Sequence, residues 1–397
     1  MNPRFACAIV VACVLHFAAE SGLAQGPLPN QPATVRRAPA PRLSPDKPSA
    51  PTGFRLPGEF ESHRSLLLGT YFLASDAPRV FADLVRATKD STRVVALVND
   101  VADLTAAQSA LVADGLPADC VQFLPVPHNT MWVRDYAPLI LVGPAQQTIL
   151  IDAAYEEANR PADDHVPQVL AGQLKLPLLA ASLKLDGGNL LSNGEGVVVA
   201  TTSLIQCNVD LGWSKREIHE RLLALTGAKQ IVFVEPLAGE PTTHVDMFAT
   251  FVSPNTIVVG SYGDDDNENA ALLDRNAMLL SEIETSSGPL RVVRIPMPRH
   301  DDGVWRTHTN VVFANQVLLV PVYPERDDRH TERVLDTYRQ LLPARHIIGI
   351  DAERISESGG ALHCITMNLG PIDVFPVLPI PQAAQAEAGS GLLLNSR

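Results

Sequence analysis

Two patterns alternate along the chain. Between about Gly53 and Phe375, short apolar runs that suit strands are separated by runs whose apolar positions recur at helical spacing. Residues 66–71 and 93–98 read as strands, and 80–88 and 104–113 as helices. The best-marked helix follows Ser214, a good N-cap; Glu217 completes a capping box and Gly227 supplies the C-terminal stop. Its apolar residues Ile218, Leu222 and Leu225 share one face, so this helix is expected to pack on a sheet.

A second regularity concerns polar residues at the head of strand–turn–strand units. Asp135 precedes the apolar run 137–142, a Gly143-Pro144 turn and a second run at 149–151. Asp186 stands before Leu190-Leu191, the Asn193-Gly194 turn and 197–199, and His244 and Asp246 before 247–252, Pro254-Asn255 and 257–259. Asn310 opens the unit that ends at Val320, and Cys364 the last one. The intervals are 51 residues (135 to 186), 58 (186 to 244), 66 (244 to 310) and 54 (310 to 364). Five such units, most with a helix, favour a repeat architecture over a doubly wound sheet. A radial arrangement would gather all these polar residues around one pocket.

Both ends read differently. Residues 1–24 carry Arg4, an apolar stretch from Phe5 to Ala19 and a small-residue cleavage site at Gly22-Leu23-Ala24, the pattern of an export signal. A lipoprotein signal ending at Cys13 is the alternative. Export would place the protein in the periplasm or outside the cell. Residues 25–57 are rich in Pro and read as a flexible linker, 58–376 as the folded domain, and 377–397 as a tail. The chain has 31 basic and 44 acidic side chains, a net charge of −13, which argues against a nucleic-acid partner and is compatible with a cationic substrate. No stable membrane insertion is expected. Without the signal segment three cysteines are left, Cys120, Cys207 and Cys364, too few for a disulfide scaffold, and nothing supports a Cys120–Cys207 pair.

Cys364 follows Gly359 and Gly360, which permit a positive φ or a close backbone approach, and precedes an apolar strand. Alone it reads equally as a buried structural thiol. Its companions change that reading. A thiol, an imidazole and several carboxylates suit covalent catalysis, with the thiolate as nucleophile and the His moving protons. Clustered carboxylates would repel a developing oxyanion, so a protease or amidase fits them badly. They make sense if the electrophile is positive, and a planar guanidinium offers N–H donors that match carboxylates in pairs.

The motifs Met131-Trp132-Val133-Arg134-Asp135-Tyr136-Ala137-Pro138, Asp186-Gly187-Gly188-Asn189, Thr243-His244-Val245-Asp246, His308-Thr309-Asn310 and Gly359-Gly360-Ala361-Leu362-His363-Cys364-Ile365-Thr366 resemble, in the same order, those of the bacterial peptidylarginine deiminase and agmatine deiminase family. The resemblance covers about 60–375. It implies an α/β fold, a five-bladed propeller (pentein) of ββαβ-like repeats around a central pocket. It implies hydrolytic deimination with Cys364 as nucleophile and His244 as acid and base. Asp135 and Asp246 would hold the guanidinium, Asp186 would lie beside the His, and Asn310 near the nucleophile, with Trp132 as a further substrate contact. No metal or organic cofactor is implied.

Two substrate classes belong to this resemblance: arginine in peptides or proteins, and agmatine. The signal segment, Arg134-Asp135-Tyr136-Ala137-Pro138 and the Asp at 186 favour the peptidyl class. The stretch Asn159-Arg160-Pro161 resembles a loop whose arginines bind a substrate carboxylate, which makes Arg160 a candidate contact. A secreted arginine-binding protein without turnover is a third reading. His363, His308 and His300 are assigned no chemistry, and the acidic run at 264–268 reads as a solvated turn opening a helix, not a calcium loop.

Overall fold

The computed structural model describes residues 42–43 and 48–374, apart from 156, 158, 264, 265 and 327. The proposed signal segment and the C-terminal tail lie outside the described residues.

Local sequence sets the elements. At the helix Lys215–Thr226, Ser214 Oγ accepts the Glu217 amide at 3.3 Å and the Glu217 carboxylate accepts the Ser214 amide at 2.9 Å. Gly227 ends it at φ +67°, a left-handed turn that suits glycine. The buried face (Ile218, Leu222, Leu225) packs with Val198 and Ile231 of the neighbouring strands, as the spacing predicts. The strands at 65–69 and 93–98 and the helices ending at Thr88 and Ala113 also match the sequence reading within a few residues.

Five sheets repeat one ladder. In each, two strands pair antiparallel, joined by a turn in four of the five, a connection that includes a helix follows, and a later strand joins in parallel. Leu139–Val142 pairs antiparallel with Thr148–Ala154, and Leu178–Lys184 adds in parallel after the helix Val166–Leu174. The same order recurs for Leu191–Ser192, Val197–Thr201 and Gln230–Val234, and for Ala249–Ser253, Thr256–Ser261 and Arg291–Pro296. It recurs again for Val312–Ala314, Val317–Val322 and His346–Asp351. The fifth sheet joins the two ends of the folded region: Thr366–Asn368 pairs antiparallel with Ser65–Gly69, followed in parallel by Arg93–Val98 and Val121–Pro125. The result is an α/β protein of mixed sheets, none of which closes on itself.

The inner strands, such as Ser65–Gly69, Val197–Thr201 and Val317–Val322, are buried on both faces, which is why they read as unbroken apolar runs. Leu66 and Leu68 pack with Phe81, Leu84 and Ile365, while Leu67 between them enters a different core with Tyr136 and Leu139. Each such leucine contributes about 1.5–3 kcal/mol of burial.

The boundary expected at Pro57 moves. From Pro48 the chain already lies on the domain: the Ala50 amide donates to Ala224 O at 2.7 Å and the Leu56 amide to Thr226 O at 3.0 Å. Arg55 exchanges both backbone bonds with Val142. A Cβ on Gly227 would stand 2.2 Å from Phe54 O, so that glycine also makes room for this segment. Backbone pairing overrides the prolines here, because their missing N–H groups fall outside the bonded positions. Upstream, Arg42–Leu43 pairs in parallel with Leu178–Leu179.

Candidate active site

All five polar positions sit just ahead of the first strand of a sheet. Asp135 lies in the turn Val133–Tyr136 before Leu139–Val142, and Asp186 before the turn Gly187–Asn189. His244 and Asp246 flank Val245 at the turn leading into Ala249–Ser253. Asn310 precedes Val312–Ala314 and Cys364 precedes Thr366–Asn368.

They converge. His244 Nε2 lies 3.3 Å from Asp186 Oδ2, and its Nδ1 lies 3.6 Å from Asp135 Oδ1. A Cβ on Gly188 would fall 2.7 Å from Asp135 Oδ1, 2.8 Å from His244 Nδ1 and 3.1 Å from Asp246 Oδ2, so three side chains crowd the space that glycine leaves open. Asp246 Oδ2 is in turn 3.8 Å from Cys364 Sγ. Asn310 Nδ2 points at the same sulfur from 3.4 Å, and its Oδ1 accepts the Cys364 and His363 amides at 3.3 and 2.8 Å.

The backbone is built to hold this cluster. Gly187 packs so close to Arg134 O that a Cβ would stand 2.2 Å away. Asn189 Oδ1 accepts the amides of Thr201 and Val245, tying the Asp186 turn to the His244 turn. Thr243, just before His244, has φ +59°, a strained value for a β-branched residue. Buried Glu240 holds it there by accepting the amides of Thr242 (3.0 Å) and Thr243 (2.6 Å). Before the sulfur, Gly359 takes φ +101°, and Gly360 lets the Trp132 ring approach to where a Cβ would be 2.5 Å from it. The Arg134 amide donates to Cys364 O at 3.1 Å, linking the Asp135 turn to the Cys364 turn.

Electrostatically the site is acidic and dry. Burial raises the Asp135 pKa to about 7; His244 opposes this, while Asp186 and Asp246 add to it. Burial alone would discharge His244, yet Asp135, Asp186 and Asp246 outweigh it and hold its pKa at about 10. Burial, then Asp246 and Asp135, push the Cys364 thiol well above its ordinary range. The resting cluster therefore pairs a neutral thiol with an imidazolium. Three carboxylate oxygens, Asp135 Oδ1, Asp186 Oδ1 and Asp246 Oδ1, are buried without a hydrogen-bond partner among the described residues. Such oxygens are costly to leave unpaired, so they mark where a cationic multi-donor group fits.

Trp132 and Arg160 line a neighbouring cavity of about 360 Å³, together with Thr130, Arg354 and Ser358. Arg160 is half-buried and donates to the Tyr155 hydroxyl at 2.9 Å. Cys120, Cys207 and Cys364 form no disulfide. Asp266 caps the helix Asn267–Ser281 by accepting the Asn269 amide at 3.1 Å and sits 2.7 Å from His300 Nε2, in line with a turn that starts a helix. Residues 264 and 265 lie outside the described residues.

Sequence reasoning missed Glu59, Gly188, Glu240 and His363. His363 in particular bridges Asp246 and Glu59 at 2.7 Å each. Its place beside Cys364 was a signal, but the alternation of a strand would turn neighbours to opposite sides; the backbone here is a turn, and both side chains reach Asp246. No helix among the described residues is long and apolar enough to cross a membrane.

A profile of the Porphyromonas-type peptidyl-arginine deiminase family matches residues 55–370. The chain is similar to a candidate agmatine deiminase of Latilactobacillus sakei subsp. sakei, 24% identical over 361 residues, 80% of this chain and 96% of the relative. Among solved structures, it is similar to the agmatine deiminase of C. jejuni, with a TM-score of 0.68 and 23% identity over 79% of this chain and 95% of that one. It is also similar to the agmatine deiminase of Enterococcus faecalis, with a TM-score of 0.71 and 19% identity over 84% of this chain and 99% of that one.

Proposed function

This chain belongs to the Porphyromonas-type peptidyl-arginine deiminase family, and we propose that it converts arginine in peptides or proteins to citrulline and ammonia through a covalent intermediate on Cys364. It is a hydrolase of C–N bonds in linear amidines. One observation carries the choice of a guanidinium: the buried Oδ1 oxygens of Asp135, Asp186 and Asp246 accept no hydrogen bond among the described residues, and Asp246 and Asp135 act on the buried Cys364 thiol. A guanidinium carries five donors in one plane and a permanent positive charge, so it can donate to these oxygens and is opposite to them in sign.

The chemistry follows from the charges. In the resting site the Cys364 thiol keeps its proton because it is buried and because Asp246 and Asp135 stand near it. A bound guanidinium neutralises Asp135 and Asp246, so the thiol releases its proton to solvent and the thiolate forms beside its target. The sulfur attacks the guanidinium carbon. His244, already protonated, donates to the departing nitrogen, and ammonia leaves a thiouronium on Cys364. Neutral His244, held by Asp186, then takes a proton from water, and the resulting hydroxide attacks the same carbon. Collapse expels the thiolate and leaves a ureido product. Asn310 steadies the sulfur throughout.

The five repeated ladders support reading the fold as a five-bladed α/β propeller, with the strand heads turned to one axis. Trp132 and Arg160 are proposed to contact the substrate beyond its guanidinium. A cavity that also includes Arg354 suits the carboxylate of a C-terminal arginine peptide, whereas agmatine has none to offer. Agmatine remains the second reading, because the relatives above carry that name. A panel of agmatine, free arginine and peptides with internal or C-terminal arginine decides. Faster citrulline formation from the C-terminal arginine peptide is expected, and a clear preference for agmatine would reject the substrate choice while keeping the chemistry. Residues 1–24 support export, which cell fractionation tests.

A further inference from the structure

We infer that His363 is a positioning residue for the deimination proposed above, clamped as a cation between Asp246 and Glu59 so that one Asp246 oxygen is fixed and the other is presented to the guanidinium. His363 Nδ1 lies 2.7 Å from Asp246 Oδ2, and Nε2 lies 2.7 Å from Glu59 Oε2. Ionised carboxylates only accept, and a neutral imidazole has one N–H donor, so two such contacts require the imidazolium. The ring, Asp246 and Arg134 are each almost fully buried.

The clamp has an outer anchor. Arg134 NH1 donates to Glu59 Oε1 at 2.6 Å, its Nε to Thr366 O at 3.0 Å and its NH2 to Asn368 Oδ1 at 3.2 Å. Carboxylate, imidazolium, carboxylate and guanidinium thus alternate, and the four charges cancel. Burial and Arg134 both work against the charge on His363, but Glu59 and Asp246 raise its pKa above the ordinary value. Burial would raise the Glu59 pKa, yet Arg134 and His363 hold it down at about 2.

The consequence reaches the sulfur. Asp246 Oδ2, the oxygen that His363 holds, is the one 3.8 Å from Cys364 Sγ. With the imidazolium in place, the thiolate meets a compensated carboxylate; without it, Asp246 would repel the sulfur and could rotate its free oxygen out of the binding plane. The groups facing Cys364 are Asp246, Asp135 and Asn310, and those facing His363 are Asp246, Glu59 and Arg134. Glu59, Arg134 and His63 also line a cavity of about 470 Å³, so the outer end of the clamp can be altered where there is room to relax.

The test uses the full chain, a C-terminal arginine peptide and agmatine as substrates, and two charge-removing variants. His363→Gln is expected to raise KM about ten-fold or more, with kcat falling less, since ground-state hold on the guanidinium is what it loses. Alkylation of Cys364 by iodoacetamide, read at that peptide by mass spectrometry, should slow several-fold at a fixed pH near 9, because the thiolate is less favoured beside a bare carboxylate. Glu59→Gln should move both readings the same way by a smaller factor, about two- to five-fold. Wild-type KM and alkylation rate in either folded variant overturn the inference, as does a fall in kcat and melting temperature at unchanged KM. If His363→Gln does not fold, Glu59→Gln decides alone; failure of both to fold makes the clamp a stability element and overturns it too. A wild-type chain that deiminates neither substrate would instead reject the proposed function.

Discussion

Replacing Gly188 by alanine tests the geometry of the site without deleting any charge. Gly188 is not among the residues with positive φ, so alanine can adopt its backbone conformation without strain. The whole perturbation is therefore the new methyl group, 2.7 Å from Asp135 Oδ1, 2.8 Å from His244 Nδ1 and 3.1 Å from Asp246 Oδ2. Against an ordinary contact of 3.4 Å the three are short by 0.7, 0.6 and 0.3 Å. The backbone cannot back away, because Asn189 is bonded to Thr201 and Val245 and Gly187 abuts Arg134. The side chains must move instead. Overpacking of this kind costs about 1–3 kcal/mol, and the loss of glycine's freedom in the unfolded chain returns about 0.4–1 kcal/mol, so the fold should lose only about 1–2 kcal/mol. Displacement approaching an ångström costs about a hundred-fold in rate, or about 2.7 kcal/mol of transition-state stabilisation. Gly188→Ala should thus stay folded in a thermal melt while kcat/KM for citrulline release falls about a hundred-fold. A folded Gly188→Ala protein within about three-fold of wild-type kcat/KM would refute the convergence of Asp135, His244 and Asp246 on the reacting group.

Cys364→Ser should release no citrulline yet still bind an arginine peptide, and detectable turnover would reject the nucleophile assignment. In that inert variant the stabilisation by the peptide should grow with pH. Asp135 has a folded pKa of about 7 against an ordinary 3.8, so its contribution to stability is complete below 3.8 and is lost as pH rises through about 7. A bound guanidinium restores it only where the carboxylate is ionised. Differential scanning fluorimetry should show a larger peptide-induced shift at pH 8 than at pH 5.5, and equal shifts would count against Asp135 as a substrate ligand. Ser214→Ala removes a cap far from the chemistry; it should lower stability by about 1 kcal/mol in a denaturant titration and leave kcat/KM unchanged.

How much of this was legible beforehand depends on sequence distance. Asp135, Asp186, His244, Asp246 and Asn310 each announce a strand–turn–strand unit, and continuous apolar runs place such units well; Cys364 heads a strand whose partner, Ser65–Gly69, lies at the other end of the folded region. The two readings weighed for the Gly359-Gly360 pair both hold, one at each glycine. What stayed hidden was pairing across the chain. Glu59 stands 304 residues from His363, just past the proline-rich stretch read as tether, and no local pattern connects them. Glu240 and Thr243 were invisible for a different reason. A strained φ at a threonine violates local preference, and only the Glu240 carboxylate, buried and bonded to two successive amides, explains why it is tolerated.

The site also shows why both ends of the folded region must be present for chemistry. Cys364 and His363 sit just ahead of Thr366–Asn368, a strand whose antiparallel partner among the described residues is Ser65–Gly69, near the opposite end of the folded region. Arg134 holds that junction by donating to Thr366 O, Cys364 O and Asn368 Oδ1, and it reaches Glu59 on the incoming segment. The buried carboxylates work against folding on their own account, since each unpaired oxygen gives up hydration without a partner. Their cost is offset where the first and last sheets meet, by a neutral run of alternating charges and by apolar strands buried on both faces. A chain that begins after Glu59 or ends before His363 would lose more than a contact: it would lose the cation that makes Asp246 tolerable beside the sulfur, or the carboxylate that keeps it charged. The turn that carries Cys364, the proposed nucleophile, therefore rests on Glu59 and Ser65–Gly69, about three hundred residues before it.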